Sequence, residues 1–309
     1  METDKLKGHL LALTTMLLWG TTFVSTKVLL SDFTPIEILF LRTLLGYVLL
    51  RILYPKRIKI ADKKQKALFI GAGLSGIYLY YLFENTALVY SMASNISVIT
   101  STAPFFSAIF AYKFLSEEKP RPSFFVGFVV AISGIALVSF SGGEFKFEPK
   151  GDIMGLLSAA IWGVYSVITK IISKNKYNTV QMTSRIFEYG LMFMIPMLFI
   201  SGFDFSVEKV LKPVNIINIL YLGFGASALC FVMWNTALQK IGVVRASVYI
   251  YLNPVITIVL SYFVLNERLT LISTIGAILT VFGLVISELH FDKIREKFVE
   301  KHWKFWIEI

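Results

Sequence analysis

The chain is 309 residues long, 56% hydrophobic and only 16% charged, with a mean hydropathy of +0.69. That composition excludes an ordinary soluble globular protein and makes lipid the expected solvent. The formal charge of +10 does not point to nucleic acid, because Lys and Arg lie mainly between apolar segments rather than on one soluble basic face.

A helix needs about 17–25 mostly apolar residues to cross roughly 30 Å of hydrocarbon. Ten stretches meet that requirement: 9–30, 35–54, 67–90, 93–115, 123–140, 153–172, 180–201, 216–238, 244–265 and 272–289. They are continuously apolar and lack the two-residue alternation of a barrel wall, so the predicted fold class is an all-α integral membrane protein. The first stretch is longer than a signal-peptide core and is expected to remain as a span. The sole cysteine, Cys230, lies inside an apolar run, which excludes an intramolecular disulfide and reads as a small buried hydrophobe.

Charge placement gives the orientation. The connection 51–66 carries Arg51, Lys56, Arg57, Lys59, Lys63, Lys64 and Lys66, a cytoplasmic marker. With the N-terminus inside, the cytoplasmic connections and adjoining helix ends hold twenty Lys and Arg, against five on the other side. Both termini are therefore expected in the cytoplasm of a multi-pass plasma-membrane protein. The tail 290–309 mixes five basic residues with Phe291, Ile294, Phe298, Trp303 and Trp306. It reads either as an amphipathic helix on the anionic membrane surface or as a disordered tail.

The sequence repeats itself. Lys7-Gly8, Trp19-Gly20, Lys27 and Arg42 match Lys150-Gly151, Trp162-Gly163, Lys170 and Arg185 at a constant shift of 143. The shift then becomes 150, pairing Asn85-Thr86-Ala87-Leu88 with Asn235-Thr236-Ala237-Leu238, Pro104 with Pro254, and Glu117 with Glu267. This divides the chain into a first repeat (1–140), an extracytoplasmic linker (141–150) and a second repeat (151–289). Five spans per repeat is an odd number, so the two halves are inverted in the membrane, the architecture of alternating-access transporters. A duplication that only builds a compact bundle is the structural alternative.

These repeated residues resemble the EamA domain of the drug/metabolite transporter superfamily: Trp-Gly followed by Lys in the first helix, Ala-Leu ending the third, Pro in the fourth and Glu closing it. The resemblance covers nearly the whole chain in two copies. It implies a ten-helix transporter of small metabolites, amino acids or drugs, with a central cavity lined by the first, third and fourth helices of each half. Glu84 near the middle of the third helix, opposite Trp234 in the second half, departs from the usual pattern and marks a place where specificity can reside.

Trp19, Thr22 and Thr26 share one face of the first helix, and Trp162, Tyr165 and Thr169 repeat that face in the sixth. Such a stripe serves either a cavity or helix packing through small polar groups. Ile77, Tyr80, Tyr81 and Glu84 line the third helix, and Ser227, Phe231 and Trp234 the eighth. A cavity walled by these aromatics favours aromatic or cationic ligands, although Tyr and Trp also gather in interfacial belts. Asn95, Ser97, Thr100 and Asn253, near Pro104 and Pro254, either bond a ligand or satisfy backbone carbonyls freed by the prolines. Arg42 and Arg185 are structural charges that must pair, snorkel or face water, with Glu37 and Glu188 as local partners. Lys27 and Lys170 sit near helix ends, where snorkelling is expected.

The substrate-binding candidates are thus Trp19, Thr22, Tyr80, Tyr81, Glu84, Asn95, Trp162, Tyr165, Trp234 and Asn253. Glu84 is also the proton-coupling candidate. The expected partners are a small-molecule substrate, the lipid bilayer and, if Glu84 titrates, protons; no cofactor, metal or nucleic acid is expected. His9, His290 and His302 are all peripheral, which disfavours a membrane enzyme acting on a lipid-linked substrate. A non-transporting membrane subunit would normally bring a soluble or partner-binding domain, and that reading fits less well.

Overall fold

The computed structural model describes residues 2–58, 60, 62–115, 122–139, 149–201, 206–267 and 270–288. The expected tail 290–309, Glu117 and positions 141–148 of the linker lie outside the described residues. Every regular element among those described is helical. The long helices are α1 (Glu2–Leu29), α2 (Pro35–Leu53), α3 (Lys63–Tyr90), α4 (Ala93–Leu115), α5 (Pro122–Ser139), α6 (Pro149–Ser173), α7 (Thr179–Ile200), α8 (Pro213–Ile241), α9 (Val243–Val264) and α10 (Leu271–Glu288). A short helix, Val207–Leu211, leads into α8.

Each long helix coincides with one of the ten apolar stretches, with its ends moved where polar residues extend or cap it. The Asp62 carboxylate accepts from the N–H groups of Lys64 and Gln65, both at 3.2 Å, and starts α3 four residues before the apolar run. Pro149 opens α6, so the last two residues of the expected linker are helical. Thr34 and Glu37 close a capping box on α2.

Among the described residues, α3, α4, α6, α7, α8 and α9 are long and apolar enough to cross a membrane by length and composition. Shorter apolar stretches, Pro122–Leu137 and Thr274–Gly283, fill α5 and α10. The surface is the reverse of a soluble protein's. Phe199, Phe263, Ile278 and Val129 are exposed, while Thr15, Asn85, Ser97 and Thr257 are buried. That distribution suits a molecule whose outer solvent is hydrocarbon and whose polar groups must be satisfied internally.

The packing exchanges partners between halves. Helix α1 lies against α8 and α9 as α6 lies against α3 and α4; α2 packs on α7 and α8, α7 on α2 and α3, and α5 on α10. Swapping each helix with the one five later maps this set onto itself. Both third helices carry a π-helical segment at matching places, Gly73–Leu79 in α3 and Tyr221–Leu229 in α8. The Trp-Gly motif has a packing reason in each half. A Cβ on Gly20 would lie 2.7 Å from Ile256 Cβ, and one on Gly163 would lie 2.9 Å from the Ser107 nitrogen, so α1–α9 and α6–α4 close to glycine-only distance.

Candidate substrate site between the two halves

The exchange of partners brings the first and third helices of both halves together around one buried aromatic cluster. Trp19 from α1 meets Trp162 from α6 edge to face at 5.1 Å between ring centroids. Trp234 from α8 lies 5.6 Å from Trp19 and 5.9 Å from Trp162. Tyr80 is 4.8 Å from both Trp162 and Tyr81, and Tyr165 is 5.0 Å from Trp162. Phe231 touches Trp19, Tyr81, Trp162 and Tyr165. The offset and edge-on geometries are those that aromatic quadrupoles favour. Tyr80 and Tyr81 therefore belong to the interior and not to an interfacial belt.

Two charged groups flank this cluster. The Glu84 carboxylate, only 4% exposed, accepts a hydrogen bond from the Tyr80 hydroxyl at 2.7 Å. Arg42 is 1% exposed and lies over the Tyr81 ring, its guanidinium carbon 3.9 Å from the centroid. Arg42 Nε donates to Ser227 Oγ and one terminal nitrogen donates to the Tyr81 hydroxyl, both at 3.1 Å. Its other terminal nitrogen, Nη1, is buried without a hydrogen-bond partner among the described residues. Buried polar atoms are ordinarily partnered, so an open guanidinium nitrogen calls for an explanation.

Indole nitrogens divide in the same way. Trp19 Nε1 donates to the Ala226 carbonyl at 2.8 Å, inside the π-helical segment of α8. Trp162 Nε1 and Trp234 Nε1 are buried without partners among the described residues. Tyr165 donates to Asn235 Oδ1 at 3.0 Å, and Asn235 Nδ2 donates to Thr183 at 3.1 Å. The cluster thus combines apolar ring surface with unpartnered donors, the Arg42 cation and the Glu84 carboxylate.

The remaining candidates stand outside this network of contacts. The Thr22 hydroxyl donates to the Trp19 carbonyl at 2.7 Å. Ser97 and Thr100 donate to Ser94 and Ile96 carbonyls of their own helix, so their hydroxyls serve the backbone around the break that precedes Pro104. Asn95 and Asn253 are buried, each with an amide oxygen unpartnered among the described residues.

Three pairings differ from expectation. Glu37 does not bond Arg42: residues five apart diverge around a helix, and the Glu37 carboxylate accepts from the Thr34 N–H at 2.7 Å. Arg42 instead reaches into the central cluster. Its position in an apolar helix was the available signal, but its partners, Tyr81 and Ser227, lie 39 and 185 residues away in sequence. Lys27 and Lys170, expected to reach for the interface, are held by backbone carbonyls. Lys27 donates to the Leu88 carbonyl and, at 2.8 Å, to that of Ser91, while Lys170 donates to the carbonyls of Leu238 and Gln239 at 2.8 and 3.1 Å. Each caps the C-terminus of the third helix in its own half, where carbonyls lack helical partners and the dipole favours a cation. Arg185 does pair with Glu188, at 2.7 Å.

No group of three or more His, Cys, Asp or Glu able to hold a metal occurs among the described residues. Cys230 is buried and free.

The model of the EamA-like transporter family matches residues 6–140 and again 149–289. The chain belongs to that family. Relatives include an uncharacterized transporter of Archaeoglobus fulgidus, 30% identical over 91% of this chain and 97% of its own length. A probable terminal-alkyne amino-acid exporter of Streptantibioticus cattleyicolor is 26% identical over 88% and 90%. A probable amino-acid metabolite efflux pump of Escherichia coli is 24% identical over 91% and 94%. A protein of known crystal structure shares the fold with a TM-score of 0.68 at 20% identity, over 91% of this chain and 98% of its own. This EamA-family chain is a multi-pass membrane transporter with a small-molecule substrate.

Proposed function

We propose that the protein is a secondary transporter or exporter that moves a small metabolite, an amino acid, an amine or an amphipathic drug-like compound, across the plasma membrane by alternating access around the central cluster. The observation that carries this reading is the position of the cluster. Trp19, Trp162, Tyr80, Tyr81 and Trp234 meet where the halves exchange partners. A rearrangement of one half against the other opens or closes the same residues to either face. Substrate-binding roles are assigned to these five and to Thr22, Glu84, Asn95, Tyr165 and Asn253.

In this reading all ten helices cross the bilayer, both termini are cytoplasmic, and repeats 1–140 and 151–289 are inverted about an axis in the membrane plane. Glu84 carries the coupled proton or pairs a cationic substrate, its carboxylate accepting a hydrogen bond from the Tyr80 hydroxyl. Competition of proton and substrate for one carboxylate couples their movements. Nucleic acid has no place as a partner, and no chemical step is assigned to the site.

Counterflow in liposomes tests the transport reading. Liposomes holding the purified protein and preloaded with members of a panel of amino acids, amines and amphipathic cations are expected to accumulate at least one labelled member; folded protein that exchanges none of them contradicts it. A cysteine at Ser141 is expected to react with an impermeant thiol reagent outside intact cells. Reaction only after the membrane is opened would invert the assigned topology.

A further inference from the structure

Several helix caps in the molecule are local. Thr34, Asp62 and Asn178 cap the helices that follow them, and Lys27 and Lys170 each cap a helix of their own half. The start of α4 is capped from the other half. Met92, at its N-cap position, makes no side-chain hydrogen bond, and Glu267, just past the end of α9, takes that place. One Glu267 carboxylate oxygen accepts from the Ala93 N–H at 2.8 Å; the other accepts from the Ser94 N–H at 3.1 Å and the Ser94 hydroxyl at 2.7 Å. Three donors thus converge on one carboxylate at a helix N-terminus, where N–H groups lack helical partners and the dipole favours an anion.

The two sides of this contact differ in stiffness. At the end of α9 the Leu265 and Glu267 N–H groups both donate to the Ser261 carbonyl, at 3.0 and 3.2 Å, around Asn266 at φ 55°. Asparagine is one of the few residues that adopts this left-handed turn, and the reversal brings the Glu267 carboxylate onto α4. Across the contact, Ala93–Thr100 is a short helical segment with every residue buried, packed on α1, α6 and α9. The helix breaks at Ser101–Thr102 and resumes at Ala103. Pro104 has no N–H for the Thr100 carbonyl, and the chain turns instead through bonds from Thr102 N–H to the Ile99 carbonyl and from Phe105 N–H to that of Thr102, at 3.1 and 2.9 Å. The segment therefore has a hinge at one end and a clasp from the opposite half at the other.

We infer that Glu267 is a gate latch: it holds the segment Ala93–Thr100 shut against α9 and lets go of Ala93 and Ser94 when that side opens. This rests on the transport reading and the orientation proposed above, in which the start of α4 and the end of α9 are extracytoplasmic. Glu267 is only partly buried, so on release water reaches the carboxylate and replaces the hydrogen bonds it gives up. The latch is thereby reversible. The lysine caps, lying within one half, have no reason to break when the halves move.

A cross-link separates a latch from a fixed cap. Ser94→Cys and Glu267→Cys are combined in the full-length protein, and the two thiols are joined by a short, reducible bis-methanethiosulfonate. Counterflow is then followed in liposomes with the labelled compound of the panel above that wild-type protein exchanges. The cross-linked protein is expected to exchange at least about tenfold more slowly than the same sample after reduction. Equal rates before and after reduction would overturn the latch and leave the transport reading standing, whereas wild-type protein that exchanges nothing removes both. Glu267→Gln gives a second reading that does not depend on the cysteine pair, since an amide offers one acceptor oxygen where the carboxylate offers two. The Ala93 and Ser94 amides are expected to exchange hydrogen for deuterium at least about tenfold faster in that variant, while the first turn of α7, capped by Asn178, keeps its rate. Unchanged exchange at the start of α4 would likewise overturn the assignment.

Discussion

The third helix of each half makes the most instructive comparison in the molecule. Helices α3 and α8 share a π-helical segment, a buried Asn at 85 and 235 and a C-terminus capped by a lysine from the first helix of the same half. Where they face the centre they part. Tyr80, Tyr81 and Glu84 in α3 stand where α8 has Cys230, Phe231 and Trp234. Duplication has thus kept the features that place the helix and changed the side chains at the central cluster. The first half supplies the carboxylate and phenols; the second supplies a wall of rings.

That division predicts different outcomes for mutations in the shared and the divergent parts. Shared features affect stability in both halves. Gly20→Ala puts a methyl group 2.7 Å from Ile256 Cβ, and Gly163→Ala puts one 2.9 Å from the Ser107 backbone nitrogen. Each is expected to cost about 1–3 kcal/mol as overpacking, the second at least as much as the first because backbone has to move. Thermal unfolding in detergent measures both. Two near-neutral substitutions would contradict the close packing of α1 on α9 and of α6 on α4.

A smaller effect is expected at the two lysine caps. Lys27→Met and Lys170→Met each remove a cation from a helix C-terminus, expected to cost about 0.3–2 kcal/mol. Lys27 also feels the Glu267 carboxylate, which accepts from the Ala93 N–H at 2.8 Å and the Ser94 N–H at 3.1 Å at the start of α4. Both substitutions are expected to lower the melting temperature. An unchanged melting temperature in either would contradict that lysine's role as a helix cap.

Much of the scaffold was legible in the sequence, because span length, apolar continuity and the two repeat shifts are local or strictly periodic signals. The third helices showed their inward face through Tyr80, Tyr81 and Glu84 at helical spacing. Other contacts were not legible because their partners are distant. Arg42 meets Ser227 across 185 residues, and Trp19 meets the Ala226 carbonyl across 207. Nearest-neighbour reasoning therefore assigned Glu37 to Arg42, although Glu37 serves the α2 cap. The hydroxyls of Thr22, Ser97 and Thr100 looked available for a ligand because sequence does not reveal that each bonds a carbonyl of its own helix.

The asymmetry between α3 and α8 is tested most directly by the pH profile of counterflow for wild-type protein and Glu84→Gln side by side in the same liposomes. Glutamine keeps the size of the side chain and a hydrogen-bonding group but cannot exchange a proton. Wild-type transport is expected to vary with pH, whereas Glu84→Gln protein, folded and inserted as well as wild type, is expected to lose that dependence together with most of its rate. An unchanged rate, substrate affinity and pH profile in Glu84→Gln would contradict the assignment of coupling to the first half.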